Sequence, residues 1–100
     1  MHKEFDFPAD KNQWLKDNRE ISFEEVISAL EEGGLIEVIK HPNLVKYPHQ
    51  SMYVIDIGGY IYLVPFVKKN KTCVFLKTIF KSRKMTRQYL HDKEKTGDSL

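Results

Sequence analysis

The residues from Met52 to Val67, MYVIDIGGYIYLVPFV, decide the predicted fold. Two runs rich in β-branched and aromatic residues, Met52–Ile57 and Tyr60–Val67, flank the pair Gly58-Gly59. Such runs are typical of strands, and a glycine pair between them favours the tight turn of a β-hairpin. Pro65 has no N–H to donate, so we expect its strand to lie at an edge or to carry a bulge there.

Two more strands are predicted, one on either side of this hairpin. Leu35–Ile39 reads as a short strand, and residues 41–50, HPNLVKYPHQ, contain two prolines and are predicted to form an irregular loop. After the polar turn KKNK, Thr72–Phe80 supplies the fourth strand. We therefore expect a four-stranded antiparallel sheet.

Helical patterns flank the strands. A first helix is predicted over Ala9–Asn18, and a second over Phe23–Glu32, where Ser22 and Glu25 match a capping box. The helical period returns over Ser82–Lys93. The predicted class is α+β, with two N-terminal helices, a four-stranded antiparallel sheet and a C-terminal helix.

The totals fit one small globular domain. The chain has 100 residues, 41% of them hydrophobic and 30% charged, so we expect a single domain over residues 1–100 with a frayed tail from about residue 95. It has no long apolar run and no signal peptide, which predicts a cytoplasmic protein without membrane contact. The single cysteine, Cys73, agrees with a reducing compartment, and its apolar neighbours favour a buried residue over a nucleophile.

Charge is divided unevenly along the chain. Residues 1–39 hold ten acidic and four basic side chains, a net charge of −6, whereas residues 40–100 hold four acidic and twelve basic, a net charge of +8. This polarity favours one surface that attracts polyanions such as RNA. The alternative is that both sets are solvated surface charges that cancel within the fold.

Short motifs near the two ends of the chain form a recognisable pattern. They are Phe5, Phe7, Lys11 and Ser22-Phe23-Glu24-Glu25 in the first part, and Arg83-Lys84-Met85-Thr86-Arg87 in the last. With this order of elements over roughly residues 5–90, the chain resembles the BrnT-type toxins of bacterial type II toxin–antitoxin systems. It departs from them at Arg19-Glu20, where many members have His-Gly, and in the proline of YLVPFV.

The resemblance implies a RelE-like ribonuclease fold and an endoribonuclease toxin that inhibits growth by cutting RNA. It also implies a partner, a cognate DNA-binding antitoxin that neutralises the toxin. Both implications are expectations, because the shared motifs are short.

Arginines near the C-terminus are the predicted phosphate-binding groups. Arg83 and Arg87 are four residues apart on the predicted helix and so share nearly one face. A guanidinium binds two phosphate oxygens and stays charged, which suits the developing charge of metal-independent RNA cleavage. Further RNA contacts are assigned to Lys81, Lys84 and Thr86. The alternative is that the arginines only form the solvated face of an amphipathic helix.

Proton transfer needs a second kind of group. The candidates are His41, His49, Tyr53, Tyr62 and Lys77. A histidine on a loop can act as an acid or base at neutral pH, although most loop histidines are only surface residues. We assign catalysis to His49 and Lys77, and RNA contacts to His41 and Tyr62.

Two of these candidates lie on predicted strands. Lys77 alternates with Phe75 and Ile79, so it either lines an RNA groove or sits at an exposed strand end. Tyr60 and Tyr62 share a strand face, where they either stack on bases or pack in the fold.

No metal or cofactor is predicted. The four histidines lack the spacing of metal ligands, and the chain has neither a glycine-rich phosphate loop nor a Gly-x-Ser-x-Gly elbow. Two competing functions stay open. One is a non-catalytic RNA-binding or antitoxin-binding module of the same fold. The other, weaker because no helix-turn-helix is evident, is binding to duplex DNA.

Overall fold

The computed structural model of the protein describes residues 4–89. Its elements are β1 (Glu4–Asp6), α1 (Ala9–Arg19), α2 (Phe23–Glu31), β2 (Leu35–Lys40), β3 (Ser51–Ile57), β4 (Tyr60–Lys68), β5 (Cys73–Leu76), β6 (Phe80–Lys81) and α3, described over residues 83–89. The predicted α+β class is confirmed. The predicted end of the last helix at Lys93 and the predicted frayed tail lie outside the described residues.

The strands form one mixed sheet, in the order β1-β5-β4-β3-β2 with β6 also paired to β4. β1 runs parallel to β5, and the other pairs are antiparallel. The predicted layout of four antiparallel strands is therefore wrong. β1 could not be predicted from the sequence, because three residues are too few to show a period and its partner strand lies near the other end of the chain.

The predicted strand Thr72–Phe80 is in fact two short strands separated by residues 77–79. Leu76 and Ile79 are both buried in the same core, although residues three apart on a strand point to opposite faces. The chain must therefore leave the extended path to bury both. The break lies beside Pro65, whose carbonyl accepts a hydrogen bond from the Lys77 N–H at 2.8 Å. Proline has no N–H to offer on that side, so pairing is interrupted there.

The main core lies between α1, α2 and one face of the sheet, here called the α2 face. Its strand members are Tyr53, Ile55, Val64, Phe66, Val74 and Leu76, and its helical members include Leu15, Phe23 and Val26. The rings of Tyr53 and Phe66 stack with centroids 4.0 Å apart. These positions follow the period-two pattern expected of strands with one face against helices.

A buried asparagine joins the two N-terminal helices. The Phe23 N–H donates to Oδ1 of Asn12 at 2.8 Å, and Nδ2 of Asn12 donates to both carboxylate oxygens of Glu24 at 3.0 and 3.1 Å. The Asn12 amide holds the pKa of Glu24 below its usual range. Asn12 thus satisfies an N–H at the start of α2 that would otherwise be buried without a partner.

The opposite side of the sheet, here called the α3 face, is also buried. Met52 and Val54 alternate with the core residues and point away from α2, yet both are buried. The helix α3 lies on this side, because the Tyr89 hydroxyl donates to the carboxylate of Glu37, which lies opposite Val54. No helix described within residues 4–89 is long and apolar enough to cross a membrane.

One hydroxyl fixes the start of α3 against β4. The Thr86 Oγ1 accepts a hydrogen bond from the Ile61 N–H at 2.8 Å and donates to the Ser82 carbonyl at 2.6 Å. The Ser82 N–H in turn donates to the Ile61 carbonyl at 2.9 Å. The first turn of α3 is therefore continuous with the hydrogen bonding of the sheet.

Replacement of Asn12 by alanine is expected to lower the free energy of unfolding by about 1–3 kcal/mol, because the Phe23 N–H stays buried without an acceptor. Part of this loss is expected to disappear in acid, as the pH falls through the depressed pKa of Glu24. Urea denaturation of Asn12→Ala measures the loss. Gln13→Ala, on the exposed side of the same helix, is the control and should change stability by about 0.5 kcal/mol or less. Equal losses in the two variants would contradict the assigned role.

Thr86→Val keeps the shape of the side chain but leaves the Ile61 N–H without its acceptor. We expect a loss of about 1–3 kcal/mol in the free energy of unfolding, whereas Thr86→Ser, which retains the hydroxyl, should lose less than half of that. Guanidinium denaturation of the two variants provides the comparison. A serine variant as unstable as the valine variant would show that the methyl group, not the hydroxyl, anchors α3.

Candidate nucleic-acid interface

The helix α3 presents three cations to solvent. Its N-cap is Ser82, whose Oγ accepts a hydrogen bond from the Met85 N–H at 3.2 Å. With Met85, Thr86 and Tyr89 turned toward the sheet, Arg83, Lys84 and Arg87 are exposed. The predicted pair Arg83 and Arg87 therefore lies on the outer surface of the helix, one turn apart. The Thr86 hydroxyl is hydrogen-bonded to the Ile61 N–H and the Ser82 carbonyl within the fold. Its direct contact with RNA stays a prediction.

Lys77 lies on the same side of the sheet as α3. Phe75 is opposite Val67, an α3-face position, and the Lys77 Nζ lies 5.4 Å from the centroid of the Phe75 ring. Lys77 itself is exposed. The predicted alternation of Lys77 with Phe75 is thus observed, but Ile79 turns into the core on the α2 face. Three of the four predicted catalytic residues, Lys77, Arg83 and Arg87, share one side of the molecule.

An exposed aromatic ring that sequence reasoning missed lies on this side as well. Phe80 is opposite Leu63 and is 43% exposed. Its strand, β6, has only two residues, so no period in the sequence indicates which way its side chains point. The only signal is its position between Lys77 and Arg83. An exposed ring among cations is a surface on which a nucleic-acid base can stack.

The predicted residues Lys81 and Tyr62 meet on the α2 face, at the end of the sheet near the Gly58-Gly59 turn. They lie opposite each other in the β4–β6 pairing, and the Lys81 Nζ is 4.2 Å from the centroid of the Tyr60 ring. Burial, then the charge of Glu25 and the neighbouring Tyr60, raise the pKa of Tyr62. Its phenol therefore stays protonated and uncharged at neutral pH. Because Ser82 follows directly, the positive charge of Lys81 continues around the end of the sheet onto the cations of α3. Together with Lys77, these cations are here called the basic surface.

Among residues 4–89, no carboxylate lies within ion-pair distance of the cations of this surface. Within residues 4–89 the ion pairs are Lys16 with Glu24 at 3.6 Å and Lys69 with Asp6 at 3.0 Å. Neither includes a member of the basic surface, whose cations are Lys77, Lys81, Arg83, Lys84 and Arg87. Cations grouped in this way create a positive potential that attracts polyanions.

The two loop histidines lie at the other end of the sheet. His41 follows β2, packs against the Tyr47 ring at a tilt of 43° with centroids 4.5 Å apart, and accepts a hydrogen bond from the Asn43 N–H at Nδ1. His49 lines a cavity of about 400 Å³ together with Val38, Ser51, Phe66 and Lys68. Phe66 is four residues along β4 from Tyr62, a separation of roughly 13 Å. His41 and His49 therefore lie at the end of the sheet remote from Lys81, and the cavity of His49 is on the face opposite Arg83 and Arg87.

Arg19 and Glu20, where the chain departs from the family pattern, both have structural roles. Glu20 has a φ of 55°, the left-handed conformation that glycine adopts without strain. Arg19 donates to the Ile79 carbonyl at 3.1 Å, and its guanidinium lies 5.0 Å from the Trp14 ring. The end of α1 is thus attached to the segment 77–79, which carries Lys77.

A second concave surface has the opposite charge. Glu24, Glu25, Glu32 and Asp56 line an open groove of about 490 Å³ between α2 and the Gly58-Gly59 turn. Among the residues that the structure describes, no three histidine, cysteine or acidic side chains are grouped as metal ligands. The four carboxylates make the groove an acidic surface.

Comparisons with known proteins identified no similar protein. No protein-family model, curated protein or solved structure matches the chain. The function is therefore inferred from the geometry above and from the resemblance of the terminal motifs.

Proposed function

We propose that this protein is a metal-independent endoribonuclease, the toxin of a type II toxin–antitoxin pair, and that it binds RNA on the α3 face. The observation that carries the proposal is the placement of Lys77, Arg83 and Arg87 on one side of the sheet with the exposed ring of Phe80. Cations for phosphates and an aromatic ring for a base are the two elements of single-strand RNA binding.

The chemistry follows from these groups. The ribose 2′-hydroxyl loses its proton to a solvent water as its oxygen attacks the adjacent phosphorus, the bond to the 5′-oxygen breaks, and the products are a 2′,3′-cyclic phosphate and a 5′-hydroxyl. Arg83 and Arg87 stabilise the charge that develops on the phosphorane oxygens, because each guanidinium donates two hydrogen bonds in a fixed plane. The leaving 5′-oxygen needs a proton, which an ammonium group can donate.

Lys77 is the better placed of the two predicted proton-transfer residues. It shares the α3 face with the arginines, whereas His49 lines a cavity on the α2 face at the far end of β4. Our proposal therefore assigns proton donation to Lys77 and no step of the cleavage to His49. The RNA contacts assigned to Lys81, Lys84 and Tyr62 extend the path of the bound RNA around the end of the sheet.

The resemblance extends the proposal to the fold family, the location and the partner. A RelE-like fold is supported by helices packed on a largely antiparallel sheet, with β1 as an added parallel edge. The proposed partner is a DNA-binding antitoxin, and the proposed location is the cytoplasm, where RNA is accessible. An acidic α2 surface and a basic α3 face offer such a partner two sites of opposite charge.

A second candidate function is a non-catalytic RNA-binding or antitoxin-binding module. The observation in its favour is that the basic surface has cations and aromatic rings but neither His41 nor His49. Such a surface is sufficient for binding. Binding and cleavage must therefore be measured separately.

Arg83→Ala and Arg87→Ala are each expected to weaken binding of single-stranded RNA and to reduce the slope of log affinity against log salt by about 1, because each removes one phosphate contact. Cleavage in the presence of EDTA should fall about a hundredfold. Fluorescence anisotropy and gel analysis of end-labelled RNA measure the two effects. Lys16→Ala, which removes an ion-paired lysine of α1, is the control and should change neither.

The two candidate functions give different results in this experiment. The wild-type protein cuts RNA in EDTA if it is the enzyme, and binds without new cuts if it is the module. RNA binding that is equally strong in both arginine variants and in the wild type would contradict RNA binding by the α3 face, on which the enzyme and the RNA-binding module both depend.

Lys77→Gln keeps a polar side chain, one atom shorter than lysine, but removes the ammonium proton. We expect cleavage to fall about a hundredfold, with RNA affinity reduced only as far as one lost cation requires. His49→Ala should retain wild-type cleavage. Single-turnover cleavage rates at saturating protein compare the two variants. Loss of cleavage in His49→Ala alone would overturn the assignment of Lys77.

A further inference from the structure

The outer strand β2 exposes apolar side chains at the edge of the sheet. β2 is the last strand in the sheet order, and no residue that the structure describes pairs with its outer edge. Ile36 and Val38 are 40% and 51% exposed. Edge strands usually avoid association by carrying prolines, several charges or a very short length. The six residues LIEVIK contain no proline and two charged residues, Glu37 and Lys40, so this edge is suited to pairing.

The hydrogen bonds of β2 show which of its backbone groups point outward. The His41 N–H donates to the Gln50 carbonyl at 3.1 Å, in register with the β2–β3 pairing. Bonded and non-bonded pairs alternate along antiparallel strands, so Glu37 and Ile39 also direct their backbone groups to β3. Val38 and Lys40 therefore direct theirs to the outer edge.

We propose that this edge pairs antiparallel with β2 of a second copy of the chain, with Val38 opposite Lys40 of the second copy and the two-fold axis at Ile39. In an antiparallel pair, residues whose backbone groups point to the outer edge must lie opposite each other, and this leaves three registers for Val38 and Lys40. Placing Val38 opposite itself would bring the irregularity between Leu35 and Glu37 into the ladder. Placing Lys40 opposite itself would juxtapose like charges. The proposed register avoids both.

Charge complementarity favours a second copy as the occupant of this edge. In this register Glu37 lies opposite His41 of the second copy, so that each copy offers a carboxylate to an imidazole. The aliphatic stem of Lys40 covers Val38 of the second copy, and its ammonium reaches solvent. An isologous contact forms each of these pairs twice.

The pairing has a consequence for the α3 face. A two-fold axis perpendicular to a continuous sheet leaves the corresponding faces of both copies on the same side. The dimer therefore presents two α3 faces next to each other, joined through the Tyr89–Glu37 contact to the paired strands. The inference itself does not depend on the proposed function, because it uses only the edge of β2.

Sedimentation velocity of the full chain over a wide micromolar range tests the proposal. The wild-type protein is expected to reach twice the 11.8 kDa of one chain. Val38→Pro removes only an outward N–H, and Val38→Lys places a charge opposite Lys40, so each should weaken the dimer about tenfold or more. Circular dichroism checks that both variants fold. Val45→Lys, at a residue 97% exposed in the loop after β2, should dimerise as the wild type does.

A wild-type chain that stays monomeric at every concentration would overturn the proposal, and so would a dimer that both Val38 variants leave unchanged. Either result is separate from RNA binding, which is measured on the α3 face. Dimerisation that is lost in both Val38 variants and retained in Val45→Lys supports the proposed edge.

Discussion

The hydroxyl of Thr86 is the link on which the rest of the arrangement depends. It accepts from the Ile61 N–H and donates to the Ser82 carbonyl, so the first turn of α3 is held by the same strand that carries the main core. From this point the helix crosses the sheet, and Tyr89 reaches Glu37 on the outer strand β2. Arg83 and Arg87 are therefore displayed from a fixed support, which the Ser82–Ile61 and Tyr89–Glu37 hydrogen bonds reinforce.

Much of the fold could be predicted because its long elements have clear periods. The hairpin around Gly58-Gly59, the helix after Ser22 and the α+β class all follow from patterns of several turns or strand residues. The short strands could not be predicted in the same way. β1 is stabilised by a parallel pairing with β5, and β6 is separated from β5 by the break beside Pro65. Such long-range pairings leave no local period.

The candidate site was predictable in its cations but not in its spatial grouping. The motif that contains Arg83 and Arg87 indicated an exposed basic helix, and the alternation of Lys77 with Phe75 placed that lysine on a strand face. Neither pattern specified that both lie on one side of the sheet, because that depends on where α3 returns. The position of His49 in an irregular loop suggested a role in proton transfer. That loop, after β2, lies at the end of the sheet remote from Ser82.

The acidic and basic parts of the sequence become different surfaces because the sheet separates most of them. The carboxylates of α2 and of the Gly58-Gly59 turn line a groove beside α2, while the cations of α3 and Lys77 lie on the α3 face. Lys40, Lys68 and Lys81 on the α2 face and Glu37 on the α3 face are exceptions, and the position of Lys81 above Tyr60 carries positive charge to the edge of the α2 face. A polyanion that approaches the protein is repelled by one groove and attracted by the opposite face. Orientation of an approaching polyanion therefore follows from the placement of α2 and α3 on opposite sides of the sheet, before any single contact is made.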